Sequence, residues 1–235
     1  MVNKPKIIHG GHVYTFSGHH YPSVTTILSR TADPDDNAFL EKWRANFYDP
    51  RFKNADDYTN YTSIRGTLVH YNVLNATSGV VLDPSGLPPV SEWWDRREML
   101  IKDIDKSVKL WKDLQLPIKH PITAETAIFH PEKRYAGTPD LVACIDGEMV
   151  VLDIKTSGGI RDKHILQLGA YVQAVNHHTP GSIRRGMLVY LHPKFKEAMI
   201  HEIERADLRD AVEMFNDLLR QFWKIPGVKK EYGLL

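Results

Sequence analysis

The pattern of apolar and polar positions divides the chain into a front part that reads mostly as helix and a middle part that reads as strand. A hairpin is expected over 6–16, turning at Gly10-Gly11, followed by helices over 23–30 (with Ser23 as N-cap), 35–47, 59–75 and 91–114. The stretch 80–90, rich in proline and glycine, reads as loop. Strands follow over 122–129, 135–145 and 148–155, then a helix over 164–178, strands over 187–192 and 198–204, and a final helix over 207–223. Helices, three strands, a helix and two strands is an α/β order, with no internal repeat.

The strand over 148–155 carries the first chemistry. It is bounded by Asp146-Gly147 and by Ser157-Gly158-Gly159, and its side chains alternate, so Asp153 and Lys155 share one face while Val150, Leu152 and Ile154 share the other. Asp146-Gly147 is a two-residue hairpin signal, and the preceding strand, entered through Gly137-Thr138-Pro139, brings Asp140 near the level of Asp153. Hard divalent cations take carboxylate oxygens and keep several waters, so two aspartates anchor such an ion and a substrate phosphate adds an oxygen. A metal held this way polarises a phosphoryl group and acidifies water, and Lys155 is placed to position that water or neutralise charge. Asp-x-Lys alone is common at solvated strand ends; its coupling to Gly-Thr-Pro-Asp at this spacing is what singles it out.

Composition changes this picture modestly. With 235 residues and 42% hydrophobic content the chain can build one sizeable domain, read here as 1–235 with a mainly helical part over 1–115, a sheet core over 116–205 and a C-terminal helix and tail over 206–235. No long apolar run and no signal-peptide pattern occurs, so a soluble, cytoplasmic protein without membrane partners is expected. One cysteine, Cys144, excludes internal disulfides and argues against a four-cysteine iron–sulfur cluster. The net charge of +1 supplies no general basicity, so any nucleic-acid contact must come from local patches. Arg65, Lys133-Arg134 and Arg161 with Lys163 lie close in sequence to the proposed site elements. Aromatics from Trp43 to Tyr61 crowd the front part; Trp43 and Phe47 read as helical core, and 48–61 as a polar loop able to stack on bases.

Pro139-Asp140 and Asp153-Ile154-Lys155 resemble the signature of the PD-(D/E)xK nucleases, and three further elements are similar to the RecB-like and mitochondrial-genome-maintenance-exonuclease-like branch. Gly66-Thr67-Leu68-Val69-His70 looks like its Gly-Thr-x-x-His helix, Glu125 like the glutamate before its hairpin, and Gln167-Leu168-Gly169-Ala170-Tyr171 like its Gln-x-x-x-Tyr helix. The matches run in order from Gly66 to Tyr171, and Pro22 to Leu28 resembles that branch's first helix. The resemblance implies a restriction-endonuclease-like core, a central mixed sheet flanked by helices, behind an N-terminal helical region. It implies Mg²⁺ or Mn²⁺ on Asp140, Asp153, Glu125 and His70, with Glu125, Asp140, Asp153 and Lys155 catalytic. Gln167, Tyr171, Arg65, Thr67, Thr156 and Arg161 would contact substrate. The expected activity is a DNA exonuclease working from single-stranded or duplex ends in replication, recombination or processing. A recombination or replication protein would be its partner, and the compact format suits a phage. The competing readings are a structure- or sequence-specific endonuclease on the same core, a non-catalytic nucleic-acid- or protein-binding module, and an unrelated metal hydrolase acting on nucleotides.

Overall fold

The structure, a computed structural model, describes residues 6–8, 13–77, 79–88, 95–179 and 183–234. The elements in chain order are β1 (Lys6–Ile8), β2 (Val13–Phe16), β3 (His19–Pro22), α1 (Val24–Arg30), α2 (Pro34–Ala45), α3 (Ala55–Asn75), α4 (Arg97–Leu114), β4 (Ile118–Ala124), β5 (Ile128–His130), β6 (Tyr135–Gly137), β7 (Leu141–Ile145), β8 (Glu148–Lys155), α5 (Asp162–His178), β9 (Ile183–Tyr190), β10 (Met199–Glu204), α6 (Arg205–Phe222) and α7 (Val228–Glu231).

A five-stranded sheet in the order β10-β9-β8-β7-β4 forms the centre. It is mixed: β8 and β9 run parallel, joined through α5, while the other neighbours are antiparallel. Helices cover both faces. Leu168, Tyr171, Phe215 and Leu219 of α5 and α6 close on Val142, Val151 and Leu188, whereas Val69, Val73, Leu110 and Trp111 of α3 and α4 close on Leu141, Leu152 and Ile154. Covering both faces explains why β8 is buried from Val150 to Ile154 without a break, and why its one buried charge, Asp153, stands out.

The hairpin β7–β8 turns at Asp146 (φ 53) and Gly147 (φ 84), the left-handed pair that a two-residue hairpin needs, and pairs Leu141 with Leu152. Ser23 caps α1, its hydroxyl accepting from the Thr26 N–H. Elsewhere the structure redraws the expected elements. The strand over 122–129 is two: β4 ends at Ala124, Glu125 turns into the left-handed region at φ 47, and β5 starts afresh. The strand over 135–145 is likewise broken, because Pro139 has no N–H to give to a ladder, so β6 pairs with β5 in a separate ribbon and β7 joins the main sheet. β3 was not foreseen; it adds to the β1–β2 hairpin, whose Gly10-Gly11 turn lies outside the described residues. The expected helix start at 91 also lies outside them, and α4 is helical from Arg97. The loop over 48–61 is shorter than read. α3 begins at Ala55, capped by Asn54, and Tyr61 is buried with its hydroxyl donating to Asp103, which leaves Tyr48 in solvent. Trp43 and Phe47 meet edge to face with ring centroids 5.3 Å apart, and Phe47 packs beside the Phe52–Tyr61–Leu100 cluster.

Candidate active site

Asp140 closes the break between β6 and β7, and the β7–β8 register brings it opposite Asp153. Its carboxylate is buried at 5% exposure and fully engaged. Oδ2 accepts from the Ile154 N–H at 2.5 Å, and Oδ1 lies 2.9 Å from His70 Nδ1. His70 comes from α3, one turn after Gly66. A Cβ at Gly66 would stand 3.3 Å from the Thr156 hydroxyl, so the glycine lets α3 approach the end of β8 and hang His70 over Asp140. Glu125 arrives from the end of β4. Its backbone N–H donates to the Asp140 carbonyl at 3.1 Å, continuing the β4–β7 ladder for one bond while its own backbone turns away.

His70, Glu125 and Asp140 therefore offer ligating atoms that all lie within 4.8 Å of one another. Beside them, Asp153 is 3% exposed and meets the Lys155 ammonium at 2.6 Å in an ion pair. That contact is not aligned as a hydrogen bond, and Asp153 Oδ2 has no other partner. A buried carboxylate oxygen with spare lone pairs, next to three converging oxygen and nitrogen donors, fits a divalent cation of the hard or borderline kind. Lys155 is oriented by a relay: its Nζ donates to Gln167 Oε1 at 2.7 Å, and Gln167 Nε2 donates to the Tyr171 hydroxyl at 2.7 Å.

The electrostatics match a site built for a cation. Burial would lower the His70 pKa, but the Asp140 carboxylate outweighs it and lifts the imidazole to about 9, so His70 donates to Asp140 at neutral pH. Partial desolvation and the neighbouring Asp140 charge push Glu125 up to about 7. Burial also acts to raise Asp140, yet His70, Lys155 and the Ile154 N–H hold it below the usual carboxylate range. Asp153 is raised by burial and by Asp140, with Lys155 opposing. Three acids share two cations, and a metal ion would relieve that imbalance.

The remaining expected residues separate into groups. Gln167 and Tyr171 form the relay. Thr67 is exposed on α3 with its hydroxyl donating to the Ser63 carbonyl, and Arg161 is exposed at the entry to α5. Thr156 follows Lys155, and its carbonyl is taken by Arg65 at 3.1 Å. Arg65 is where the sequence reading needs correction: only 5% exposed, its guanidinium is committed to Thr156 and, at 3.5 Å, to Asp103. A short distance along the chain had suggested a phosphate contact, whereas its burial makes it a brace between α3, α4 and β8. Lys133 and Arg134 need the same treatment. They sit on the β5–β6 turn beside His130, at the opposite end of that ribbon from Gly137 and Asp140.

Two contributors escaped the sequence reading. Tyr14 of β2 reaches 124 residues along the chain to bond Thr138 at 2.9 Å, which ties the Gly-Thr-Pro segment to the N-terminal sheet. No local signal marks it beyond the inward half of a short alternating strand. Gly137 is the second. A Cβ there would meet Tyr171 Cδ1 at 2.9 Å and Val24 Cγ2 at 3.2 Å, so this glycine exists to let the relay tyrosine pass.

No family model matches the chain. Over 196 residues it is 26% identical to mitochondrial genome maintenance exonuclease 1 of Mus musculus, an alignment covering 77% of this chain and 52% of that protein. The Homo sapiens protein of the same name is 27% identical over 198 residues, covering 75% and 53%. This similarity supports a PD-(D/E)xK-like nuclease. The chain spans about half the length of the relatives it matches. Among solved structures, a phage related exonuclease from Haemophilus somnus 129PT is 11% identical, with 86% of this chain and 93% of that one aligned at a TM-score of 0.35. His70 of α3, Glu125 before the hairpin, Asp140, Asp153 and Lys155, the residues that resemble the nuclease pattern, fall at one place. Among the described residues no helix is long and apolar enough to cross a membrane.

Proposed function

We propose that the chain is a divalent-metal-dependent deoxyribonuclease that removes nucleotides from the ends of DNA, single-stranded ends in particular. The observation that carries this reading is the convergence of His70, Glu125 and Asp140 within 4.8 Å, next to the Asp153–Lys155 pair. Asp140, Asp153, Glu125 and His70 would hold Mg²⁺ or Mn²⁺. When bound, the ion supplies Lewis acidity toward the scissile phosphate and toward water.

The chain's own groups account for the rest. Asp140, kept ionised by His70 and the Ile154 N–H, gives a carboxylate that needs no proton removed before it binds a cation. Lys155, held by Gln167 and Tyr171, presents its ammonium at a fixed position, where it orients the attacking water and offsets charge that grows on the phosphoryl oxygens. Glu125, near neutrality in its proton affinity, is suited to take a proton from that water. Thr67 and Arg161, both exposed beside the site elements, would contact the strand. Replication, recombination or DNA processing inside the cell is the setting this activity suits.

Digestion of end-labelled single-stranded, duplex and covalently closed circular DNA with Mg²⁺ or Mn²⁺ tests the proposal, comparing the unmodified protein with Asp153→Ala and Lys155→Ala. Loss of linear DNA alone, abolished in both variants, is expected. Cutting of the circle would replace the exonuclease with an endonuclease, and a folded protein that cleaves nothing would leave a binding module.

A further inference from the structure

A groove of about 720 Å³ lies between α5, α6 and the start of β9, within the range of small-molecule sites. It is remote from the candidate active site. Ile183, on its wall, pairs with Met149 at the beginning of β8, whereas Asp153 and Lys155 pair with Leu188 and Tyr190 at the other end, roughly 20 Å along the strands. On α5 the residues that line it lie on the opposite side of the helix from Gln167 and Tyr171.

Its lining is unusual in sign. Arg184, Arg205 and Arg209 border it, and no carboxylate of the described residues lines it. Arg205 and Arg209 are four apart and so share one face of α6, and Arg184 faces them from β9. All three are exposed, and none forms an ion pair with a described residue. Three guanidiniums around one concavity, none paired with a described carboxylate, suit an oxyanion of multiple charge.

The other wall is aromatic. The imidazoles of His130 and His177 stack with centroids 4.4 Å apart and planes inclined by 33°, above a floor that includes the buried Val172 and Leu208. Burial, with help from His177 and Lys133, holds His130 down to about 4, so that ring stays neutral at physiological pH. Gln173 adds an amide group whose Oε1 is already taken by the Tyr135 hydroxyl, and the Asn176 amide is held by the Ile183 backbone, its Nδ2 donating to the carbonyl and its Oδ1 accepting from the N–H, both at 2.9 Å. His130, 5% exposed, lies between Tyr135 and His177, so the half-buried His177 ring, backed by His130 over an aliphatic floor, is the surface that suits a planar heteroaromatic ring.

We propose that this groove binds a 5′-phosphorylated nucleotide, with the phosphate on Arg184, Arg205 and Arg209 and the base against His130 and His177. The ligand is either a free mononucleotide or the terminal nucleotide of a strand. The site needs neither the metal nor the nuclease reading, and it is tested without them.

Isothermal titration in EDTA, with 2′-deoxyadenosine 5′-monophosphate and separately with a 5′-phosphorylated oligodeoxyadenylate, separates the sources. The expected result is saturable binding of the mononucleotide that is unchanged in Asp153→Ala, at least tenfold weaker in Arg205→Glu/Arg209→Glu, and absent for 2′-deoxyadenosine. His177→Ala, which keeps the arginines, should weaken the nucleotide while leaving inorganic phosphate unaffected. Binding of the oligonucleotide alone, with the same arginine dependence, assigns the groove to a strand end. Binding lost in Asp153→Ala, binding indifferent to the arginines in variants that melt like the unmodified protein, or no binding of either probe overturns the proposal.

Discussion

Glu125 donates its backbone N–H to the carbonyl of Asp140 at 3.1 Å, so two acids fifteen residues apart are tied main chain to main chain before their carboxylates meet. The cost is a left-handed backbone at Glu125, φ 47, which for a residue with a Cβ is about 1 kcal/mol. Such strain is retained where it aims a side chain, and here it turns the glutamate over Asp140 and His70.

Glu125→Gln keeps the shape and removes the charge that Asp140 repels. Cleavage is expected to fall at least about a hundredfold, while the thermal midpoint in EDTA stays level or rises. Initial rates and melting curves on one preparation check this, and a variant with normal cleavage refutes the role given to Glu125.

Gly137→Ala probes the relay from a distance. The added methyl has no room beside Tyr171 Cδ1 and Val24 Cγ2, so overpacking should destabilise the fold by roughly 1–3 kcal/mol and displace Tyr171, and with it Gln167 and Lys155. Cleavage should drop more than the population of folded protein does. In the double variant Gly137→Ala/Tyr171→Leu, urea denaturation should show stability recovered in part, because the clash is gone, while cleavage stays low, because the relay is gone too.

These two residues also mark how far the sequence could be read. The shared faces of Asp153 with Lys155, two apart on a strand, and of Gln167 with Tyr171, four apart on a helix, were legible because the period of each element fixes them, whereas the roles expected of His70, Gln167 and Tyr171 rested on the resemblance. The Asp146-Gly147 turn fixed the register between Asp140 and Asp153 for the same local reason. Glu125 was found but placed in a continuous strand, since nothing in Thr123-Ala124-Glu125-Thr126 announces a left-handed turn that a bond from Asp140 imposes. Arg65 looked like a surface cation because its acceptors, the Thr156 carbonyl and Asp103, lie far along the chain. Tyr14 and Gly137 were invisible on the same ground, as both act through contacts made only in the folded state.

Acid should weaken the fold through two buried imidazoles. Burial depresses His164, bonded to the Tyr190 hydroxyl at 3.0 Å, to about 3, and depresses His130 to about 4, against 6.5 for an ordinary histidine. Below 6.5 the unfolded chain takes up protons that the folded chain refuses, so their contribution is complete above that pH. It is lost as pH falls toward 3 for His164 and toward 4 for His130. Urea denaturation at pH 7, 6, 5 and 4.5 should show this decline, and His164→Gln should flatten it. An equal slope in the variant would remove His164 from the account.

Metal ions should stabilise the protein in a way that separates ligands from the lysine. A cation that binds the folded state alone adds about 2.7 kcal/mol at a hundred times its dissociation constant. Mg²⁺ or Mn²⁺ is therefore expected to raise the thermal midpoint, with EDTA reversing it. Asp140→Asn should abolish the shift, since it removes the carboxylate that His70 and Ile154 hold ionised. Lys155→Ala should keep or enlarge it, because the ammonium 2.6 Å from Asp153 competes with a metal for the same oxygen. His70→Ala should narrow any preference for Mn²⁺ over Mg²⁺, as the imidazole is the softest of the proposed donors. If Lys155→Ala lost the metal shift along with cleavage, the lysine would be acting by holding Asp153 in place, and its assignment to the water and the phosphate would fail.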